Sequence, residues 1–253
     1  MLIKVTSRCS MGCSHCMEDA TPDGAIMDFP VFLQALRFTL AIERQAREAM
    51  GYNLVMLSGG EPAEHPEIER MIEAVREHGL QPILLSNGLW LADEGKREAI
   101  LGTDPKLIVQ VTNDPRFYPK APPIVDDPRV KYVDSLTHMI PLGRFAGKMH
   151  PAIPTKTAPA CFNLRSITRS TGDIEAAVFH LRLNSLRGVT GHCTPSVTPE
   201  GRIVVGESRL CYQIGNVATP LAVLTLNVQQ MPSCNLCGLE SNLQGQFRQA
   251  ILG

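Results

Sequence analysis

Three cysteines near the N-terminus, Cys9, Cys13 and Cys16, are separated by three residues and then by two. That spacing lets one tight loop aim three thiolates at one metal cluster from one side. Three protein ligands on a four-iron cube leave one iron open to a substrate or cofactor, whereas a closed four-cysteine site holds structure or passes electrons. On this segment alone, half of a structural zinc site is the alternative. Cys193, Cys211, Cys234 and Cys237 form a second group. Residues 193–198 read as a strand, 199–202 as a turn and 203–206 as a return strand, so a hairpin brings Cys193 and Cys211 to one end. The Cys-x2-Cys pair at 234 and 237 can then close four ligands around one centre, for which zinc and iron–sulfur both satisfy the geometry.

Two more stretches stand in order after the first loop. Residues 54–57 read as a buried strand running into Ser58-Gly59-Gly60-Glu61-Pro62, and the strand-like run 82–85 ends in Ser86-Asn87-Gly88. A Gly-Gly pair after a strand signals by itself only a tight turn. Taken with the cysteine loop, the series resembles the radical S-adenosylmethionine (SAM) superfamily, with its Cys-x3-Cys-x2-Cys loop, GGEP stretch and Asn-Gly ending after successive barrel strands. The resemblance implies a [4Fe-4S] cluster on Cys9, Cys13 and Cys16. It also implies that Gly59, Gly60, Glu61 and Pro62 hold the methionine amino group of SAM, with Ser86 and Asn87 beside them. The position before the third cysteine is usually aromatic and close to the adenine; here it is His15, whose imidazole can still stack.

The late cysteines resemble the shortened SPASM, or twitch, extension of the same superfamily, which implies a second, auxiliary [4Fe-4S] cluster. The reaction implied is reductive cleavage of SAM to a 5′-deoxyadenosyl radical, removal of a substrate hydrogen atom, and an oxidation in which the auxiliary cluster relays an electron. A flavodoxin- or ferredoxin-type reductant would start it, and the substrate would be a small polyol or aminosugar, or a peptide. Cys161 stands apart. It is a small buried residue, a substitute cluster ligand, or the hydrogen-atom donor of an epimerase, as the family's epimerases use. A non-catalytic zinc protein with two cysteine sites is the reading from a different class.

Composition fits an enzyme. With 253 residues and 44% hydrophobic content the chain can bury a substantial core. No run approaches the roughly 18 apolar residues of a membrane span. Lys and Arg total 24 against 25 Asp and Glu, so no bulk charge favours nucleic acid or an anionic membrane. The first six residues lead straight into the cysteine loop without the pattern of a secretion signal. Eight cysteines in that context point to metal binding in a reducing cytoplasm.

The elements that must position these residues alternate. Residues 2–6 read as the first strand, and Asp28 as the N-cap of a helix through Met50. Pro66 opens a helix with Ile68, Met71, Ile72 and Val75 on one face and Gly79 as its cap, and a helix over 93–101 ends at Gly102. Residues 106–111 form the fourth strand. Such alternation predicts an α/β fold with a parallel sheet. With about 30 residues per unit, residues 1–185 hold about six units, a partial (β/α)6 TIM-like barrel, and 186–253 form a small hairpin and helix extension binding the auxiliary cluster. Ligands in such folds sit at the C-terminal strand ends, where Gln110 and Thr112 could bond the SAM ribose. Residues 113–160 hold nine of the nineteen prolines and read as a substrate cap, offering Arg116, Tyr118, Arg144, Lys148 and His150 to a polar substrate.

Overall fold

The computed structural model describes residues 1–133, 141–148, 160–186 and 194–232, with the backbone only for 160–163. Its centre is an open, eight-stranded sheet in the order β5-β4-β3-β2-β1-β6-β7-β8. β1 (Leu2–Thr6), β2 (Leu54–Gly59), β3 (Gln81–Ser86), β4 (Ile108–Thr112) and β5 (Val130–Val133) are mutually parallel. On the helix-covered face, Ile3 and Val5, Val55 and Leu57, Leu84, and Val109 and Val111 pack into one core. These are β-branched and leucine side chains at alternate positions, as a sheet covered on that face requires.

α1 (Phe29–Ile42) and α3 (Ile68–Glu77) supply Phe32, Leu36, Ile72 and Val75 to that core. The single helix expected over 28–50 is broken. α1 ends at Glu43, whose φ of −103° and ψ of 13° leave the helical region, and α2 (Arg44–Met50) follows. Glu43 is buried at this joint and accepts from the guanidinium of Arg182 in α6 (Ile174–Leu186), so a tertiary ion pair coincides with the break. α4 (Glu94–Gly102) begins where expected because Asp93 Oδ1 accepts the Lys96 amide at 3.0 Å. α5 (Ala160–Thr171) packs against α6. No helix among the described residues is long and apolar enough to cross a membrane.

The predicted hairpin is present as β6 (Pro195–Val197) and β7 (Arg202–Val205), paired antiparallel across a turn in which Gly201 has a φ of +74°. It does not stand apart from the barrel sheet: β6 pairs in parallel with β1, Leu2 opposite Ser196 and Ile3 opposite Val197. The sixth parallel strand among the described residues therefore comes from the hairpin. β8 (Tyr212–Asn216) extends the antiparallel edge, and α7 (Leu221–Gln230) packs on it.

Candidate functional site

The loop after β1 folds back on itself. Ser7 N–H donates to Ala25 O at 2.8 Å, Cys9 N–H to Thr21 O at 2.9 Å, and Thr6 Oγ1 to Ala25 O at 2.8 Å. Gly24 lies against Ser7, where an added Cβ would come within 2.1 Å of the carbonyl oxygen. The loop is also tied to the next motif, since Ser10 donates through N–H and Oγ to Glu64 Oε1 at 3.0 and 2.7 Å.

The Gly-Gly pair after β2 is dictated by close backbone approach. A Cβ on Gly59 would lie 1.9 Å from Thr6 O, and one on Gly60 2.1 Å from Arg8 O. That contact is made by Gly60 N–H to Thr6 O at 2.7 Å and Glu61 N–H to Arg8 O at 2.8 Å. These bonds bring the turn against the cysteine loop.

The Glu61 carboxylate, expected at the amino group of SAM, has partners of its own within the protein. Its side chain is 2% exposed and fully engaged inside the protein, accepting from Ser86 Oγ at 2.8 Å, Asn87 N at 2.7 Å and Ala63 N at 3.1 Å. It latches the turn after β2 to the turn after β3. Burial pushes the Glu61 carboxyl up to about 7, against those three hydrogen bonds. Ser86 Oγ also accepts from Trp90 Nε1 at 2.8 Å and Gly88 N at 2.9 Å, so a buried polar knot holds the ends of both strands.

Around this knot opens a cavity of about 320 Å³. Cys9, Cys13, Cys16, His15, Gly59, Gly60, Ser86, Asn87 and Thr112 line it, and so does Tyr118 from the expected cap. Pro62 is buried behind the turn. Gln110, expected with Thr112 at the ribose, is exposed on β4 two residues before Thr112 and is not part of the lining. The described part of the expected cap also holds the cysteine loop. Arg144 N–H donates to Cys16 O at 3.0 Å, its guanidinium donates to Ala20 O and lies 3.4 Å from Asp19, and a Cβ on Gly143 would come within 2.5 Å of Cys16 O. Arg116 forks onto the buried Asp114 and Lys148 is exposed, so neither lines the cavity.

The three thiols are half-buried and free of disulfides. Burial pushes the Cys9 thiol up to about 11 and Cys13 to about 12. A bound metal supplies the charge that makes such buried thiols into thiolate ligands. The His15 ring lies 4.9 Å from Tyr118 and 5.1 Å from Phe117, and burial holds its imidazole neutral, down to about 4. Its Nδ1 is buried at the cavity wall with no partner among the described residues. A cavity with three converging thiols, backbone glycines and an orphaned ring nitrogen fits a three-cysteine cluster with a polar cofactor beside it.

Sequence reasoning missed Glu18 and Glu207, which line the same cavity. Glu18 falls two residues after Cys16, and that position is the signal that could have found it. The turn carrying Glu207 packs on the cysteine loop. Ser208 Oγ donates to Met17 O at 2.7 Å, and Cys211 N–H donates back to Ser208 O at 3.0 Å. Cys211 thus lies two hydrogen bonds from the residue after Cys16. Cys193, Cys234 and Cys237, the side chain of Cys161, and His150 lie outside the described residues.

Residues 3–103 match the model of the Radical SAM superfamily. The chain carries a radical SAM domain. Over 91 residues the chain is 31% identical to the PqqA peptide cyclase of Ruegeria pomeroyi, covering 36% of this chain and 23% of that protein. Another 30% identity over 107 residues relates it to the tungsten-containing aldehyde ferredoxin oxidoreductase cofactor-modifying protein of Pyrococcus furiosus, covering 41% of this chain and 28% of that one. The chain thus spans about a quarter of the length of these curated relatives. The crystal structure of BtrN in complex with AdoMet and 2-DOIA superposes with a TM-score of 0.55 over 96% of this chain and 92% of BtrN, at 13% identity. That likeness establishes the shared fold, a partial barrel whose sheet stays open.

Proposed function

We propose that this radical SAM protein is an oxidising enzyme. Cys9, Cys13 and Cys16 would hold a [4Fe-4S] cluster with one iron left for SAM, and Cys193, Cys211, Cys234 and Cys237 would hold a second, closed cluster. Bound there, these groups would supply one-electron reductive cleavage of SAM, hydrogen-atom removal from substrate and a place for the substrate's second electron. The substrate is a small polyol or aminosugar, or a peptide.

The observation that carries this reading is the convergence of three thiols, Gly59, Gly60, Asn87 and Thr112 on one cavity at the C-terminal ends of parallel strands. The chain's own part is to orient and shield. Gly59 and Gly60 present bare backbone to the cavity, and Asn87, fixed by Oδ1 accepting Leu89 N–H at 2.9 Å, leans its Nδ2 to within 3.9 Å of Cys9 Sγ. His15, held against Tyr118, offers Nδ1 and a ring face for the adenine. The link through Ser208 supports an auxiliary site near the first, because it sets Cys211 beside the first cysteine loop. Iron analysis after anaerobic reconstitution tests the proposal: about eight irons per chain are expected for two cubes, and zinc alone would remove it.

A further inference from the structure

We infer that residues 239–252 of this chain dock as an amphipathic helix along the exposed face of α7, antiparallel to it. Those residues lie outside the described ones, and the inference rests on their sequence and on the surface left open for them. α7 buries Leu224 and Val228 in the core but leaves Val223 and Leu226, one turn apart, 43% and 53% exposed. No other helix among the described residues exposes two large apolar side chains, and such a face marks a place where something packs. Beside the start of α7, Pro220 and Leu221 border a groove of about 440 Å³, with Gln34, Arg37, Phe38 and Ala41 of α1 across it. Arg37 has neither a hydrogen bond nor an ion pair among the described residues.

The chain leaves α7 from a fixed point. Met231, with a ψ of 141°, ends the helix, and Arg165 and Arg169 of α5 donate to Met231 O at 3.1 Å and to Gln229 O at 2.8 Å. Residues 231–238 are then of a length that commonly joins two packed helices. Beyond them Leu239, Leu243, Phe247 and Ile251 recur every fourth residue with Ala250 on the same face, while Ser241, Asn242, Arg248 and Gln249 fall on the other. A helix this short, with Gly245 in its middle, is marginal alone in water and needs a surface to fold on. The lengths fit an antiparallel return: at about 1.5 Å per residue α7 runs about 15 Å and 239–252 about 21 Å, so the last turn passes the start of α7 and reaches the groove. Its carbonyl end, the negative pole of a helix, arrives beside Arg37. Docked, the segment fixes the far end of the connection that carries Cys234 and Cys237.

Amide hydrogen exchange on the full chain, anaerobically reconstituted, tests this. In the parent, residues 240–252 are expected to exchange about tenfold or more slowly than an unstructured chain, at a rate independent of protein concentration. Val223→Asp/Leu226→Asp charges the exposed face and Phe247→Asp charges the docking segment. Each is expected to speed exchange in 240–252 by about tenfold while β1 and β2 keep their parent rates, and to speed tryptic cleavage after Arg248 to a similar degree. Arg37→Glu is expected to speed 249–252 about threefold and leave 240–244 unchanged, which reads the antiparallel direction. Exchange in the parent as fast as in an unstructured chain overturns the inference, and so does protection that survives both aspartate variants. Protection that appears only as the chain dimerises gives the face to a second copy and overturns it as well, and an Arg37→Glu variant identical to the parent overturns the antiparallel placement. The docking does not rest on either cluster, and iron is counted on the same samples, so loss of a cluster and loss of docking are read separately.

Discussion

Glu61 shows how a motif residue can be spent on architecture. Its carboxylate accepts the Asn87 and Ala63 amides, so Glu61→Ala leaves buried donors unmade and is expected to cost at least about 3 kcal/mol of stability. Urea unfolding would measure it; a loss of SAM affinity with unchanged stability would show that the carboxylate faces the cofactor after all. The pH dependence follows from the raised acid. A carboxyl that titrates near 7 when folded and near 4.5 when unfolded binds its proton more tightly in the native state. Its contribution is therefore most favourable below 4.5 and declines as pH rises from 4.5 to about 7, by on the order of 3 kcal/mol. The stability of the cluster-free parent minus that of Glu61→Gln should fall across that window, and a flat difference would contradict the assignment. At this scale the cysteine spacing and both glycines were legible in the sequence. The destination of the Glu61 carboxylate was not, because it depends on where Ser86 and Asn87 arrive in space.

Between elements, the turn from Glu207 to Cys211 matters more than its length suggests. Arg209 contributes two hydrogen bonds to Glu18 and Ser208 one to Met17, so the end of the first cysteine loop is held by the strand connection between β7 and β8. Ser208→Ala removes a buried hydroxyl that donates to Met17 O and accepts Leu210 N–H at 3.1 Å. We expect a loss of about 1–2 kcal/mol, with faster amide hydrogen exchange in 16–20 as well as in 207–212. Exchange confined to 207–212 would mean that the two loops are independent. The amphipathic pattern of α3, the Asp93 cap and the hairpin could be read from local spacing. The break at Glu43 and the pairing of β6 with β1 could not, since an ion pair to Arg182 and a partner strand some 190 positions away leave no local signal.

Across the whole molecule, the C-terminal region completes the sheet that carries the N-terminal motifs, because β6 flanks β1 directly. The alternation of strands and helices made the parallel sheet predictable, while α5 and α6 went unread because proline-rich and signature-poor segments surround them. If Cys234 and Cys237 serve a second cube, Cys234→Ala/Cys237→Ala should retain about four irons per chain instead of about eight, with an unchanged melting profile as the control for local unfolding. Eight irons in that variant would remove the auxiliary cluster.

The central claim is that the loop of Cys9, Cys13 and Cys16 makes this cavity a SAM-cleaving site. It is tested most directly by quantifying 5′-deoxyadenosine from SAM and dithionite under anaerobic conditions, in the reconstituted parent and in Cys13→Ala. The account predicts steady formation in the parent and none above background in the variant, even where other iron is retained. Equal formation in both would contradict it.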